Sequence, residues 1–229
     1  MELFTIGHSN HTIEDFISLL QQHGVTALAD VRSHPYSRFL PHFKRKELKE
    51  ALAKAKINYV FLGQELGARP NNQECYVDGK AVYEKIAATE IFKEGIKRLL
   101  KGLEKQRISL MCAEKDPLTC HRAILVCQHL RDSNLQINHI LKDGMLESHH
   151  ELENRMLSKH GFLTEEQPIQ LSLFDNELIQ PLTREESLTQ AYKLQGNEIA
   201  YVETRNNDDE QANQSVHNRV YSKDCSKVL

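Results

Sequence analysis

The chain has 229 residues, with 29 Lys and Arg against 32 Asp and Glu, 12 His, 5 Cys and no Trp, for a net charge of -3. That length buries a core without covalent staples, and 40% hydrophobic with 27% charged residues is ordinary for a soluble protein. No apolar run approaches about eighteen residues, and Met1-Glu2-Leu3-Phe4 lacks a basic leader, which argues against a membrane protein or a secreted disulfide scaffold.

An odd number of cysteines at uneven spacing predicts reduced thiols in a cytoplasm. The charge is also unevenly spread. Residues 1–160 hold 23 basic and 20 acidic side chains and eleven of the twelve His, whereas residues 161–229 hold 6 and 12. A mildly basic, His-rich body is expected to carry an acidic tail.

Leu3-Phe4-Thr5-Ile6 reads as a first strand ending in Gly7-His8-Ser9-Asn10. Thr12-Ile13-Glu14-Asp15 then looks like a capping box, opening a helix with Ile13, Phe16, Ile17 and Leu20 on one face. Val25 to Val31 is a second strand run, Lys44 to Lys56 a helix, and Ile57 to Leu62 a third strand. Ala81 to Glu104 predicts one broken helix or two, followed by a strand over Ile108 to Cys112. Asp116-Pro117 signals an N-cap with Pro at N1, for a helix through Leu130. Ile137 to Leu141 is a fifth strand and Ser148 to Lys159 a last helix. This alternation predicts a Rossmann-like α/β domain over residues 1–160, a mostly parallel five-stranded sheet with helices on both faces. Residues 161–229 read as a largely irregular polar tail, with a helix near Arg184 to Leu194 and a strand-like Ile199-Ala200-Tyr201-Val202 as local exceptions.

Ligands of open α/β sheets bind outside the carboxyl ends of the strands. Here those ends carry His8 and Ser9, Asp30 and Arg32, Glu65 and Arg69, and Cys112-Ala113-Glu114, while the strands themselves are apolar. The helix expected after Asp116 opens with Cys120-His121-Arg122, so its free amides and Arg122 would hold an anion and depress the pKa of Cys120. His121 and Arg122 are not both expected to face a core. Cysteine-phosphatase spacing is absent, since Leu118 stands where that loop needs Arg, and no Cys-x-x-Cys pair exists. Cys112, Cys120, His121 and His8 would form a zinc set only through folding, so the spacing assigns no metal. The loop from Arg32 to Phe43, with Tyr36, Arg38 and Phe39, mixes cations and rings that suit a nucleotide or single strand.

Gly7-His8-Ser9-Asn10, Asp30 to Ser37, Glu65-Leu66-Gly67-Ala68-Arg69-Pro70, Cys112-Ala113-Glu114 and Cys120-His121-Arg122 together resemble the bacterial family called domain of unknown function 488, over roughly residues 1–160. Ala68 stands where the family usually has a second Gly. The resemblance implies a shared site and supplies no reaction. In the tail, Gln170-Leu171-Ser172-Leu173-Phe174 resembles the short motif by which bacterial polymerases and repair proteins bind the sliding clamp, with Leu171, Leu173 and Phe174 as apolar anchors and Gln170 as a polar contact.

These features lead to an expected enzyme of nucleotide or nucleic-acid metabolism, a hydrolase or transferase of DNA repair or modification recruited to the replication clamp. His8, Asp30, Glu114 and His121 are the acid/base candidates and Cys120 the candidate nucleophile. Ser9, Arg32, Arg38, Glu65, Arg69 and Arg122 are the candidate substrate contacts. No cofactor is assigned. The alternative is a non-catalytic nucleotide- or nucleic-acid-binding module that uses the same edge.

Overall fold

A six-stranded sheet in the order β3-β2-β6-β1-β7-β8 forms the centre of the fold. Its strands are β1 (Glu2–Gly7), β2 (Ala27–Asp30), β3 (Asn58–Phe61), β6 (Ile108–Cys112), β7 (Gln136–Ile140) and β8 (Leu146–Ser148). The first five run parallel, as the alternating pattern predicts, and β8 adds an antiparallel edge to β7. Three residues are too few to show a two-residue alternation, so β8 leaves no signal of its own in the sequence. The computed structural model describes residues 1–162 and 182–203.

Side chains alternate across the sheet. Phe4, Ile6, Leu28 and Met111 face α1 (Ile13–Gln22) and α2 (Arg45–Lys54), which bury Phe16, Leu20, Leu48 and Leu52 against them. Leu3, Ala27, Ala29 and Leu110 face the other layer. That layer holds α4 (Tyr83–Ala88), α5 (Glu90–Leu103), α6 (His149–Lys159) and α7 (Arg184–Ile199), with the four-residue α3 (Gly63–Leu66) packed on α5. Caps set the boundaries. Thr12 Oγ1 accepts from the Asp15 amide, Thr89 breaks α4 from α5 and caps the latter, and Ser148 closes a capping box with Glu151. A separate ribbon of β4 (Tyr76–Val77) and β5 (Lys80–Ala81) turns on Asp78-Gly79, both at positive φ, the hairpin pair that suits the twist of two strands.

Two regions differ from expectation. Asp116 caps only a 3-10 turn, Pro117–Thr119; Cys120 is extended, and the chain resumes as a wide π turn over Arg122–Val126 and a 3-10 stretch over Cys127–Ser133. No regular helix begins at Asp116. In the tail, α7 is longer than the predicted segment and buries Leu188, Ala191 and Tyr192 in the main core, and Val202 bridges Lys80. Among the described residues no helix is long and apolar enough to cross a membrane.

A line of buried hydrogen bonds ties α7 to the sheet. Arg122 Nε donates to Thr5 Oγ1 (3.3 Å), which lies 2.8 Å from His139 Nδ1; His139 Nε2 lies 3.0 Å from His149 Nδ1. His149 Nε2 is 2.9 Å from the Tyr192 hydroxyl, and that hydroxyl donates to Glu153 Oε1 at 2.9 Å. Arginine only donates and a carboxylate only accepts, so every proton in the line points one way, and each imidazole carries its proton on Nε2. Burial, then the neighbouring charges, holds His139 well below the ordinary imidazole range and lowers His149 to about 3.

Because both imidazoles are neutral when folded, the unfolded chain binds their protons first as pH falls through 6.5. Stability from them is therefore complete above that pH and declines towards pH 3, by about 1 kcal/mol per pH unit for each. Urea unfolding across this window should show that slope, and His149→Gln should make it shallower. An equal slope in the variant would contradict the neutral chain.

Candidate functional site

The strand order brings three loop starts together. β6 lies between β2 and β1, so the residues after Cys112 are flanked by His8 and Ser9 on one side and by Asp30 to Arg32 on the other. The His8 and Ser9 amides continue the ladder onto the carbonyls of Cys112 and Ala113, and the Val31 amide donates to Met111. Ser9 has φ 43°, a strained left-handed conformation for a residue with a side chain, and such strain collects at functional sites. Gly7 is required because a Cβ there would strike the carbonyl of Glu114.

Four side chains converge at the end of β6. Cys112 ends β6 and Glu114 follows two residues later, and the extended Cys120 with His121 meets them from the following turn. One ligand-type atom from each of the four lies within 4.8 Å of the others. Cys120 Sγ is 3.0 Å from Glu114 Oε2 and 4.0 Å from His121 Nδ1, and Cys112 Sγ is 3.6 Å from the same nitrogen. His121 Nε2 donates to the Val31 carbonyl at 3.0 Å, which points Nδ1 at the sulfurs. Both cysteines are free thiols, and both are buried.

The electrostatics are unequal. Burial and then contact with Cys120 push Cys112 well above the thiol range, and the same two causes raise Glu114. Cys120 lies well below its ordinary value: burial opposes ionisation, but the Cys112 hydrogen bond, the Arg122 guanidinium and His121 outweigh it. His121 is raised, its contacts with Cys120 and Glu114 overcoming burial. The depression expected at Cys120 is present, yet it comes from these side chains and not from a helix terminus.

Several predicted site residues have other work. Asp30 is fully buried and accepts four bonds, from the amide, Nε and Nη2 of Arg32 and from the Tyr59 hydroxyl. Its lone pairs are all engaged, so it is an anchor and not an acid or base. Arg122 is wholly buried, donating through Nη1 to the Glu114 carbonyl (2.6 Å) and through Nη2 to that of Lys115 (3.2 Å). It holds the loop and is not a phosphate ligand, and His121 beside it is buried too, against expectation. Glu65 turns away to pair with Arg98 on α5 (2.6 Å). Arg69 lies over the Tyr201 ring, 4.3 Å from its centroid, with its amide on Ser33 Oγ. Ala68 packs against the core. Arg38 is exposed on the loop after β2. Gln170, Leu171, Leu173 and Phe174 lie outside the described residues.

His8 and Arg32 do belong to this edge. His8 stacks on Phe43 at 4.4 Å, donates Nδ1–H to the Ser9 carbonyl, and is lowered to about 3, chiefly by burial and then by Arg32. Arg32 Nη1 is buried and has no hydrogen-bond partner among the described residues. Cys112, which the sequence alone marks as a strand-end residue with no acid/base or substrate role, belongs to the cluster; its position two residues before Glu114 is the signal for it. A cavity of about 520 Å3 between α4 and α7 is lined by none of the predicted site residues.

A profile of the family described as Domain of unknown function DUF488 matches residues 12–128, just over half of the chain. The chain belongs to this family. The matched DUF488 span contains Asp30, Arg32, Glu114, Cys120 and His121, and begins after His8. No curated protein and no solved structure matches the chain.

Gly7→Ala should drive a methyl group into the Glu114 carbonyl that Arg122 holds. We expect a loss of at least about 2 kcal/mol in urea unfolding, the scale of overpacking in a rigid site. An unchanged midpoint would mean that this loop is not fixed against β1.

Proposed function

We propose that the protein is an enzyme acting on a nucleotide or a nucleic-acid strand at the carboxyl edge of β1, β2 and β6. The observation that carries this reading is Arg32 Nη1. Its guanidinium is pinned by Asp30 through the other two nitrogens, so one buried donor is presented with no acceptor, and a phosphate oxygen supplies one. The adjoining loop supports the same ligand. Tyr36 and Phe39 are 61% and 51% exposed beside Arg38, and the Lys44 ammonium lies 5.0 Å from the Tyr36 ring centre. Rings of this kind stack on bases while the cations meet phosphates.

Glu114 is the proton-transfer group in this reading. Asp30 is saturated, whereas Glu114 touches the Cys120 thiol, forms no ion pair among the described residues and is the most exposed member of its cluster. His8, neutral and oriented by the Ser9 carbonyl, carries a lone pair on Nε2 and is the second base. Recruitment to the sliding clamp through Gln170-Leu171-Ser172-Leu173-Phe174 belongs to the same proposal and rests on the motif alone.

Against a library of nucleotides and oligonucleotides, Glu114→Gln should lower turnover by about 100-fold or more while leaving substrate affinity within about threefold. Arg32→Lys keeps a cation for Asp30 but loses the unpaired donor, and should weaken binding about tenfold. Full turnover by Glu114→Gln would remove Glu114 as the proton-transfer group. Binding by the native protein with no turnover of any library member would replace the enzyme reading with a recognition module. Clamp affinity of the full chain should fall about tenfold or more when Leu173 and Phe174 are both changed to Ala, and unchanged affinity would remove the clamp.

A further inference from the structure

We propose that Cys112, Cys120 and His121 Nδ1 bind a thiophilic divalent ion, zinc by preference, with Glu114 at an exchangeable fourth position. The assignment stands on the geometry of the cluster and goes beyond the substrate reading.

Four observations converge on it. The first is tautomer. The Val31 carbonyl takes the Nε2 proton of His121 and so aims the Nδ1 lone pair at both sulfurs, the second-shell pattern that orients ligating imidazoles. The second is spacing. Zinc bonds of about 2.3 Å to sulfur and about 2.05 Å to nitrogen put the sulfur–nitrogen edge of a tetrahedron at about 3.6 Å. The two edges present are 3.6 and 4.0 Å.

The third observation is charge. Cys112, Glu114 and Cys120 are three acids gathered around one imidazole. The nearby Arg122 favours the Cys120 thiolate but spends Nε, Nη1 and Nη2 on Thr5 and two carbonyls, so its charge is shared with the loop. A divalent ion lets both thiols ionise without leaving buried anions unpaired. The fourth is the backbone. An extended Cys120 between a 3-10 turn and a π turn directs its sulfur and the next residue's ring to the same point, and π turns recur at functional sites.

Ligand chemistry selects the ion. Two thiolates and an imidazole favour zinc and its neighbours over magnesium or calcium, which want oxygen. Cys112, Cys120 and His121 are buried, whereas Glu114 is the one member of the cluster with residual exposure, which makes its carboxylate the ligand for the exchangeable position. Three fixed ligands and one exchangeable position mark catalytic zinc sites rather than structural ones.

The test uses the full chain, purified without a metal-binding tag. Elemental analysis should find about one zinc per chain. After chelation and loading with Co2+, the protein should show thiolate-to-cobalt charge transfer and the intense visible bands of a tetrahedral site. Cys112→Ser, Cys120→Ser and His121→Gln should each weaken metal affinity at least about 100-fold. Glu114→Gln should retain the metal and shift the visible bands, and Cys75→Ser, elsewhere in the core, should change neither. Metal retained by the Cys120→Ser variant, or less than about 0.1 equivalent bound by the reconstituted native chain, overturns the assignment.

If the serine variants do not fold, X-ray absorption of the zinc-loaded native chain decides. Two sulfurs at about 2.3 Å support the site, and a shell of nitrogen and oxygen alone overturns it. Normal cobalt bands without activity on any phosphate substrate would remove the substrate reading and leave the metal. Turnover by a native chain that binds less than about 0.1 equivalent of zinc would do the reverse.

Discussion

Arg122 buries its whole guanidinium and hands its protons to neutral acceptors, the Thr5 hydroxyl and the carbonyls of Glu114 and Lys115. Removing such an ion from water costs several kcal/mol, and neutral acceptors return only part of that. The remainder comes from the field of the acids nearby: Cys120, Cys112 and Glu114 all favour the charged guanidinium, and it favours their ionised forms in turn. One side chain therefore sets both the path of the loop after β6 and the electrical character of the groups on it. The requirement for glycine at position 7 follows, because the carbonyl Arg122 grips lies against that Cα.

The same residue starts the directed line through Thr5, His139, His149 and Tyr192 to Glu153, which Arg131 neutralises at 2.6 Å. A chain with a pure donor at one end and a pure acceptor at the other has a single low-energy arrangement of protons. Tyr192 stands on α7, far along the sequence from the family-matched span, so a helix of the acidic segment takes part in fixing the loop that bears the cluster. Two of the buried histidines, His139 and His149, are explained here as polar links in an apolar layer rather than as bases.

The sequence made the architecture legible where physics is local. Apolar runs broken by Gly and charge located five strands, and the helix starts at Thr12 and Ser148 were readable, whereas the break at Thr89 was not placed. It also located the edge where Cys112, Glu114, Cys120 and His121 meet, because residues that follow parallel strands must gather there. Side-chain direction was not legible. Asp30 and Arg122 have the residue types and positions of catalytic groups, and only the packed fold reveals that the first is saturated and the second faces inward. The Asp116-Pro117 start signal was genuine but governs one 3-10 turn, since the chain must straighten at Cys120 for its sulfur to reach Glu114.

Placing β6 between β2 and β1 gives the edge its chemistry. The middle strand contributes the acids, and each neighbour contributes a group that answers them: Val31 the carbonyl that orients His121, Arg32 a donor, His8 a neutral base. Two features lack a complete answer among the described residues: three acids served by one imidazole and the field of Arg122, and one buried guanidinium N–H without an acceptor. A soft divalent cation meets the first. An anionic oxygen close to that cation meets the second, and the short reach between adjacent parallel strands, about 4.8 Å, lets one phosphate-bearing substrate serve both. The proposed metal and the proposed substrate class are thus two answers to one imbalance of charge, and the strand order is what sets them side by side.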